Sequence, residues 1–274
     1  MISLGIYAQD ENTEFQSNKS QRSSSDYFPK AGDFGIGFEA TPFLDYLGNA
    51  FNGTSGNSLN LGDNTLYFRY FLTDNSAVRL ALQIGSYKSV ENEYVLDDAA
   101  AMNDPLSQKQ IQDRRISNED SYLVRAGYQV FKGNNRLRGF VVGDLEFGYG
   151  RELVEYEYGN SMTNLNPDPT TTTAWGGMPV GKRYLEQKEG SSIILGVGAF
   201  TGAEYYFMPN VSIGVELGLL YGQMISGQGY EKLETMVNSQ YVVEDVEVGA
   251  GSRGRGFFTG MPSSYGNLYF MIHF

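Results

Sequence analysis

Apolar and polar residues alternate along most of this chain with a period of two, the spacing of strands whose faces meet different surroundings. Over 33–46, Phe34, Ile36, Phe38 and Ala40 fall on one face, and Gly35, Gly37, Glu39 and Thr41 on the other. Residues 64–73 set Leu66, Phe68, Tyr70 and Leu72 against Tyr67, Arg69 and Phe71. Residues 76–90 set Val78, Leu80, Leu82 and Ile84 against Arg79, Ala81, Gln83 and Gly85. Residues 120–131 set Val124, Ala126, Tyr128 and Val130 against Arg125, Gly127 and Gln129. Further strands are expected over 136–156, where Val141, Leu145, Phe147 and Tyr149 oppose Arg138, Asp144, Glu146 and Gly148, and over 190–207, where Leu195, Val197 and Ala199 oppose Gly196, Gly198 and Glu204. The pattern continues over 210–226, with Val211, Ile213, Val215, Leu217 and Leu219 opposite Ser212, Gly214, Glu216 and Gly218. The final ten residues set Leu268, Phe270, Ile272 and Phe274 against Asn267, Tyr269, Met271 and His273. The expectation is an all-β fold, an eight-stranded antiparallel up-and-down barrel, since an even strand number suits closure.

The connections alternate in length. Segments 73–76, 132–135 and 208–210 are short and carry Asp, Asn, Gly and Pro, the residues of tight turns. Segments 47–63, 91–119, 157–189 and 227–263 are long. Successive connections of antiparallel neighbours lie at opposite ends. One rim is therefore trimmed and the other carries four long loops, with both termini at the trimmed rim.

An apolar terminal strand that stops on Phe274 is an exposed edge unless another strand covers it. The row Leu268, Phe270, Ile272, Phe274 resembles the terminal assembly signal of bacterial outer-membrane β-barrels. Residues 70–75 and 206–210 echo one another: an aromatic pair, a turn containing Asn, then an alternating strand. This resembles the strand-turn-strand seam of small OmpA-like outer-membrane β-barrels, notably those of Bacteroidota. The resemblance covers roughly 33–274 and is to barrel-only relatives. It implies a transmembrane barrel in the bacterial outer membrane, with short periplasmic turns, four extracellular loops and both termini periplasmic. The implied partners are outer-membrane lipid, the barrel-assembly machinery through the terminal strand, and other envelope proteins or surface ligands through the loops.

Composition agrees with strands. Gly is abundant, at 34 of 274 residues, and aromatics reach 14%, with 20 Tyr and 17 Phe against one Trp. Cys is absent, so neither disulfides nor thiolate chemistry is available. A net charge of −12 argues against nucleic acid as a partner. No apolar run approaches the ~18 residues of a membrane helix; the best, 193–200, has strand length. A mean hydropathy of −0.33 suggests a soluble chain, but barrel strands hide from such averages by alternating. Residues 1–8 look like the remnant of an export signal, and 9–32 read as a flexible polar lead-in to a barrel over 33–274.

The polar face, taken as inward, carries Glu39, Arg69, Arg79, Arg125, Arg138, Asp144, Glu146, Glu204 and Glu216. A lumen of eight strands is just wide enough for side chains to fill. These four Arg and five acids are expected to form a structural ion-pair plug, with a narrow pore through it as the alternative. The inward glycines make room for inward Tyr, Phe and Arg. Because the charges share the glycine face and the aliphatics the other, a lipid-facing exterior fits better than a soluble lipocalin-like barrel.

Signals for chemistry are sparse. The single His, His273, sits at the trimmed end, which disfavours a His-based enzyme, and no catalytic residue is assigned. Residues 249–254 match G-x-G-x-x-G but lie in a long connection, without the strand-to-helix setting a nucleotide needs. Asp97, Asp98, Asp113, Glu119 and Asp120 offer oxygens without EF-hand spacing, so neither metal nor cofactor is expected. The third long connection, with Trp175, is a candidate contact for a partner or glycan. The expected role is structural or adhesive, through the long loops or as a subunit of an envelope assembly. A narrow channel for small solutes or ions is the alternative.

Overall fold

The computed structural model describes residues 27–53, 65–133, 136–176, 181–259 and 267–274. The strands are β1 (Phe34–Glu39), β2 (Thr65–Thr73), β3 (Ser76–Leu96), β4 (Gln110–Lys132), β5 (Leu137–Glu157), β6 (Lys182–Lys188), β7 (Ser192–Met208), β8 (Val211–Ser226), β9 (Gly229–Val237), β10 (Gln240–Val248), β11 (Ser252–Thr259) and β12 (Asn267–His273). Two helices, α1 (Thr41–Phe51) and α2 (Asp98–Asn103), interrupt them. Every strand pairing is antiparallel.

The pairings return to their start. β1 pairs β2, then β3, β4, β5, β7, β8 and β12 follow in turn, and β12 pairs β1 from Gly35↔His273 to Glu39↔Tyr269. The terminal strand thus has a partner on each edge. The ring is low on one side and tall on the other: β1 and β12 have 6 and 7 residues, whereas β3, β4 and β5 have 21, 23 and 21.

Beyond the ring the tall strands keep going. β5 exchanges β7 for β6 as its neighbour at Leu153↔Lys188, and β6 leads to β9 and β10. The result is an open sheet in the order β3, β4, β5, β6, β9, β10, standing on the long-connection side. Three expected loops are corrected by this. Segment 91–119 is mostly the continued β3 and β4 around α2, 157–189 contains β6, and 227–263 contains β9, β10 and β11. Their strands mix charged and apolar residues on each face, so no clean hydrophobic period marked them.

The first expected strand is also corrected, because β1 stops at Glu39 rather than at 46. Pro42 in the first turn of α1 cannot donate to a ladder and presets a helical φ. The turns at 73–76 and 208–210 are tight, the second with Asn210 at φ 60°. The 132–135 turn lies partly outside the described residues, as do 1–26, which include the expected signal remnant.

The described end of the expected flexible lead-in is packed. Tyr27 and Pro29 are buried, the Gly32 amide donates to Phe71 O, and the Ala31 amide donates to Asp74 Oδ1. Phe28 meets Tyr206 edge-on at 5.2 Å, and Tyr27 lies 4.1 Å under the Arg136 guanidinium. Residues 27–33 therefore cover the turn-side mouth of the ring.

Candidate functional site

The ring encloses a mixed core. Tyr67, Phe71, Phe131, Phe140, Phe200, Tyr269 and Met271 are buried together. All nine charged residues of the inward face are buried too, from 0% exposure at Glu204 to 8% at Glu39, Arg79 and Glu146. Their grouping follows strand register. Arg79 pairs with both Asp144 and Glu216, with Nε to Asp144 Oδ1 at 3.0 Å and Nη2 to Glu216 Oε1 at 3.1 Å. Arg69 Nη1 lies 2.7 Å from Glu204 Oε1, and Arg125 Nε donates to Glu146 at 3.2 Å.

Arg138 departs from the expected ion-pair pattern. Its Nη2 donates to the Asp74 carbonyl at 2.7 Å and to Asn75 Oδ1 at 2.8 Å, at the turn-side mouth. Its guanidinium lies between the rings of Phe28 and Phe131, at 4.7 and 4.9 Å. Glu39 is buried beside the end of β1. His273 is buried against Phe71 and Tyr206, with Nδ1 3.2 Å from Asn210 O.

Partners the charge pattern did not name are aromatic. Tyr206 and Tyr269 donate hydroxyls to the two oxygens of Glu204, at 2.8 and 2.7 Å. The Phe200 ring sits between Arg79 and Arg125, at 5.6 and 5.3 Å. Period two sets Tyr206 and Tyr269 on the inward face; which acid they meet depends on register.

A second cluster lies in the open sheet on the long-connection side. Arg183 of β6 faces Glu234 of β9, with Nε to Oε1 at 2.7 Å, and Tyr241 of β10 donates to Glu234 Oε2 at 2.9 Å. Arg183 Nη1 donates to Asn160 O at 3.0 Å, and its guanidinium stacks 4.2 Å over Tyr158. Tyr156 and Tyr158 lie nearly parallel, 8° apart, and Trp175 approaches Tyr156 at 6.0 Å. These residues, Trp175 apart, line a cleft of about 480 Å³ with Ser161, Met162, Leu185 and Glu157.

The segment forming one wall of the cleft is tied down. The amides of Gly159 and Thr172 donate to the two oxygens of fully buried Asp113. Asn160 donates to Leu96 O and Thr170 O, and Asp98 accepts from Asn166 and from the Thr170 amide. Burial opposes ionisation of Asp98, but the bonds from Thr170 and Asn166 outweigh it and lower its pKa. The Lys109 ammonium and the Ala100 amide lower that of Asp97. Burial raises the pKa of Tyr158 against the pull of Arg183.

Asp97, Asp98 and Asp113 thus accept from protein donors, as does Asp120 from Ser86 and Arg151. Among the described residues no group of three or more His, Cys, Asp or Glu is placed to hold a metal. The 249–254 glycine motif leads into β11, a strand and not a helix.

No family model matches the chain, and no curated protein matches it. Among solved structures it is similar to that of Ail, the attachment invasion locus protein of Yersinia pestis, at 11% identity, over 89% of this chain and 99% of that one, with a TM-score of 0.31. No residue role is taken from that likeness.

Proposed function

We propose that this chain is a bacterial outer-membrane β-barrel, closed by eight strands, that works as a structural or interaction protein through the sheet and loops on its long-connection side. The carrying observation is inverted polarity. Nine charged side chains are buried inside the ring, while Leu80, Val141, Leu145, Val197, Leu217 and Ile272 stand 39–66% exposed outside it. In water so large an apolar surface is a liability; in a bilayer it is the required exterior. Tyr70, Tyr128 and Tyr205 border the aliphatic band toward the turns, and Tyr122 and Tyr149 border it on the other side. Such tiers match the aromatic girdles of membrane barrels.

On this reading lipid surrounds the ring, and both ends of the chain face the periplasm. The outward row Leu268, Phe270, Ile272 and Phe274 is what the barrel-assembly machinery engages. The lumen is plugged by the Arg–carboxylate groups and the rings between them, with residues 27–33 over its mouth. The role is not enzymatic, and needs neither cofactor nor metal.

A second reading, a narrow channel, is favoured by one observation. Among the described residues, the Tyr67 hydroxyl, both Nη atoms of Arg125, the Gln129 amide and the Ser212 hydroxyl are buried without a protein hydrogen-bond partner. Groups of this kind are usually satisfied by internal water. Planar-bilayer recording separates the two. Silence supports the plug, and discrete openings abolished by Arg125→Glu support the channel. Partition into the detergent phase with heat-modifiable gel migration tests the barrel itself; an aqueous, heat-insensitive protein would overturn it.

A further inference from the structure

The cleft walled by residues 156–162, β6, β9 and β10 has a composition that the barrel itself does not require. It lies beyond the ring, on a sheet that a membrane anchor could do without. Its volume, about 480 Å³, falls within the ~300–1,000 Å³ usual for small-ligand sites.

Charge narrows the class of ligand. Two carboxylates line the cleft, which opposes an anion. Both are already matched: Glu157 pairs with Arg114 at 3.1 Å, and Glu234 is held by Arg183 and Tyr241. No uncompensated charge is left to recruit a cation. Polar and apolar features nonetheless alternate. The exposed ring of Tyr241 offers apolar surface, half-buried Tyr158 and Leu185 extend it, and Ser161 adds an exposed hydroxyl. A neutral ligand with an apolar C–H face and a hydroxyl edge meets both demands, as a pyranose does. The bonds from Asp113 and Asn160 hold the wall in place beforehand, so little ordering cost remains for binding.

We infer that this cleft binds a neutral saccharide unit of a glycan. The inference deepens the proposed function and rests on it for placing the cleft outside the cell. The sequence around Trp175 offers a contact for a partner or glycan; the ligand's neutrality, and the part played by β6, β9 and β10, come from the structure.

The chain's one Trp supplies the readout, since Trp175 touches the cleft wall at Tyr156. The full chain, in a detergent without a sugar headgroup, is titrated with neutral oligosaccharides ending in glucose, galactose or N-acetylglucosamine. A saturable change in Trp175 emission is expected with at least one of them. In Tyr241→Ala the apparent affinity should fall tenfold or more, and well beyond the loss in Tyr241→Phe, which removes the hydroxyl that holds Glu234 but keeps the half-exposed ring. Three outcomes overturn the inference: no saturable response to any sugar, a response to tetramethylammonium or oligolysine instead, or undiminished affinity in Tyr241→Ala. Heat-modifiable migration of the same preparation reports on the barrel separately, so failure of one reading is not mistaken for failure of the other.

Discussion

Arg79 of β3 and Asp144 of β5 form an ion pair across the strand between them. Register explains how: Arg79 lies opposite Gly127 of β4, and Gly127 lies opposite Asp144. The missing side chain at 127 leaves the space that the Asp144 carboxylate fills on its way to Arg79. The arrangement recurs where Tyr269 passes Gly214 to reach Glu204. Inward glycines here serve the polar interior by letting long side chains skip a strand.

Gly127→Ala should therefore destabilise the barrel by about 1–3 kcal/mol through overpacking. Its control is Gly143→Ala, where an added Cβ meets nothing within 4 Å. Urea midpoints in detergent compare the two, and equal midpoints would show that the space is not needed.

Removing one partner from a buried charge group leaves the other uncompensated. Glu204→Ala strands Arg69 and two tyrosine hydroxyls, and Arg125→Ala strands Glu146. Each should cost on the order of 3–5 kcal/mol in the same assay. Double variants that also neutralise the stranded partner should recover part of the loss.

The outward face makes the opposite demand. Leu217 and Val197 are 61% and 53% exposed, yet an Arg at either site should cost roughly 2–4 kcal/mol in lipid vesicles, as near a bilayer midplane. Free tolerance of Arg there would contradict a lipid-facing exterior.

Strand parity was legible because the ring's two faces meet different media, and period two records that difference residue by residue. Above the ring each face mixes charged, polar and apolar residues, and the record fades. That is why β6, with charge on both faces, and the upper halves of β3 and β4 were expected as loops. Residues 41–51 offered a similar trap. Their apolar residues keep no clean period of two, and Pro42, in the first turn, is the signal for a helix. All nine inward charges followed from parity. Their partners did not, because pairing across Gly127 or Gly214 depends on register between strands far apart in sequence.

Acid should loosen the long-connection side before the ring. Asp97 and Asp98 have lowered pKa values, so the folded state holds fewer protons than the unfolded chain. Their stabilising effect is complete above the ordinary Asp value of ~3.9 and is lost as pH falls below it. Trp175 emission should stay constant from pH 7 to about 5 and change below about 4. Asp98→Asn, which removes the charge that holds Asn166 and Thr170, should already show altered emission at pH 7.

The most direct test of the central claim uses the absence of cysteine. Gln108→Cys places a thiol at an exposed site on the long-connection side, and Pro209→Cys places one at the exposed turn between β7 and β8. Intact Gram-negative cells producing each variant are treated with a maleimide that does not cross the outer membrane. The account predicts labelling of Gln108→Cys at once, and of Pro209→Cys only after the outer membrane is permeabilised. Labelling of both variants on intact cells, of neither, or in the reverse order would contradict it.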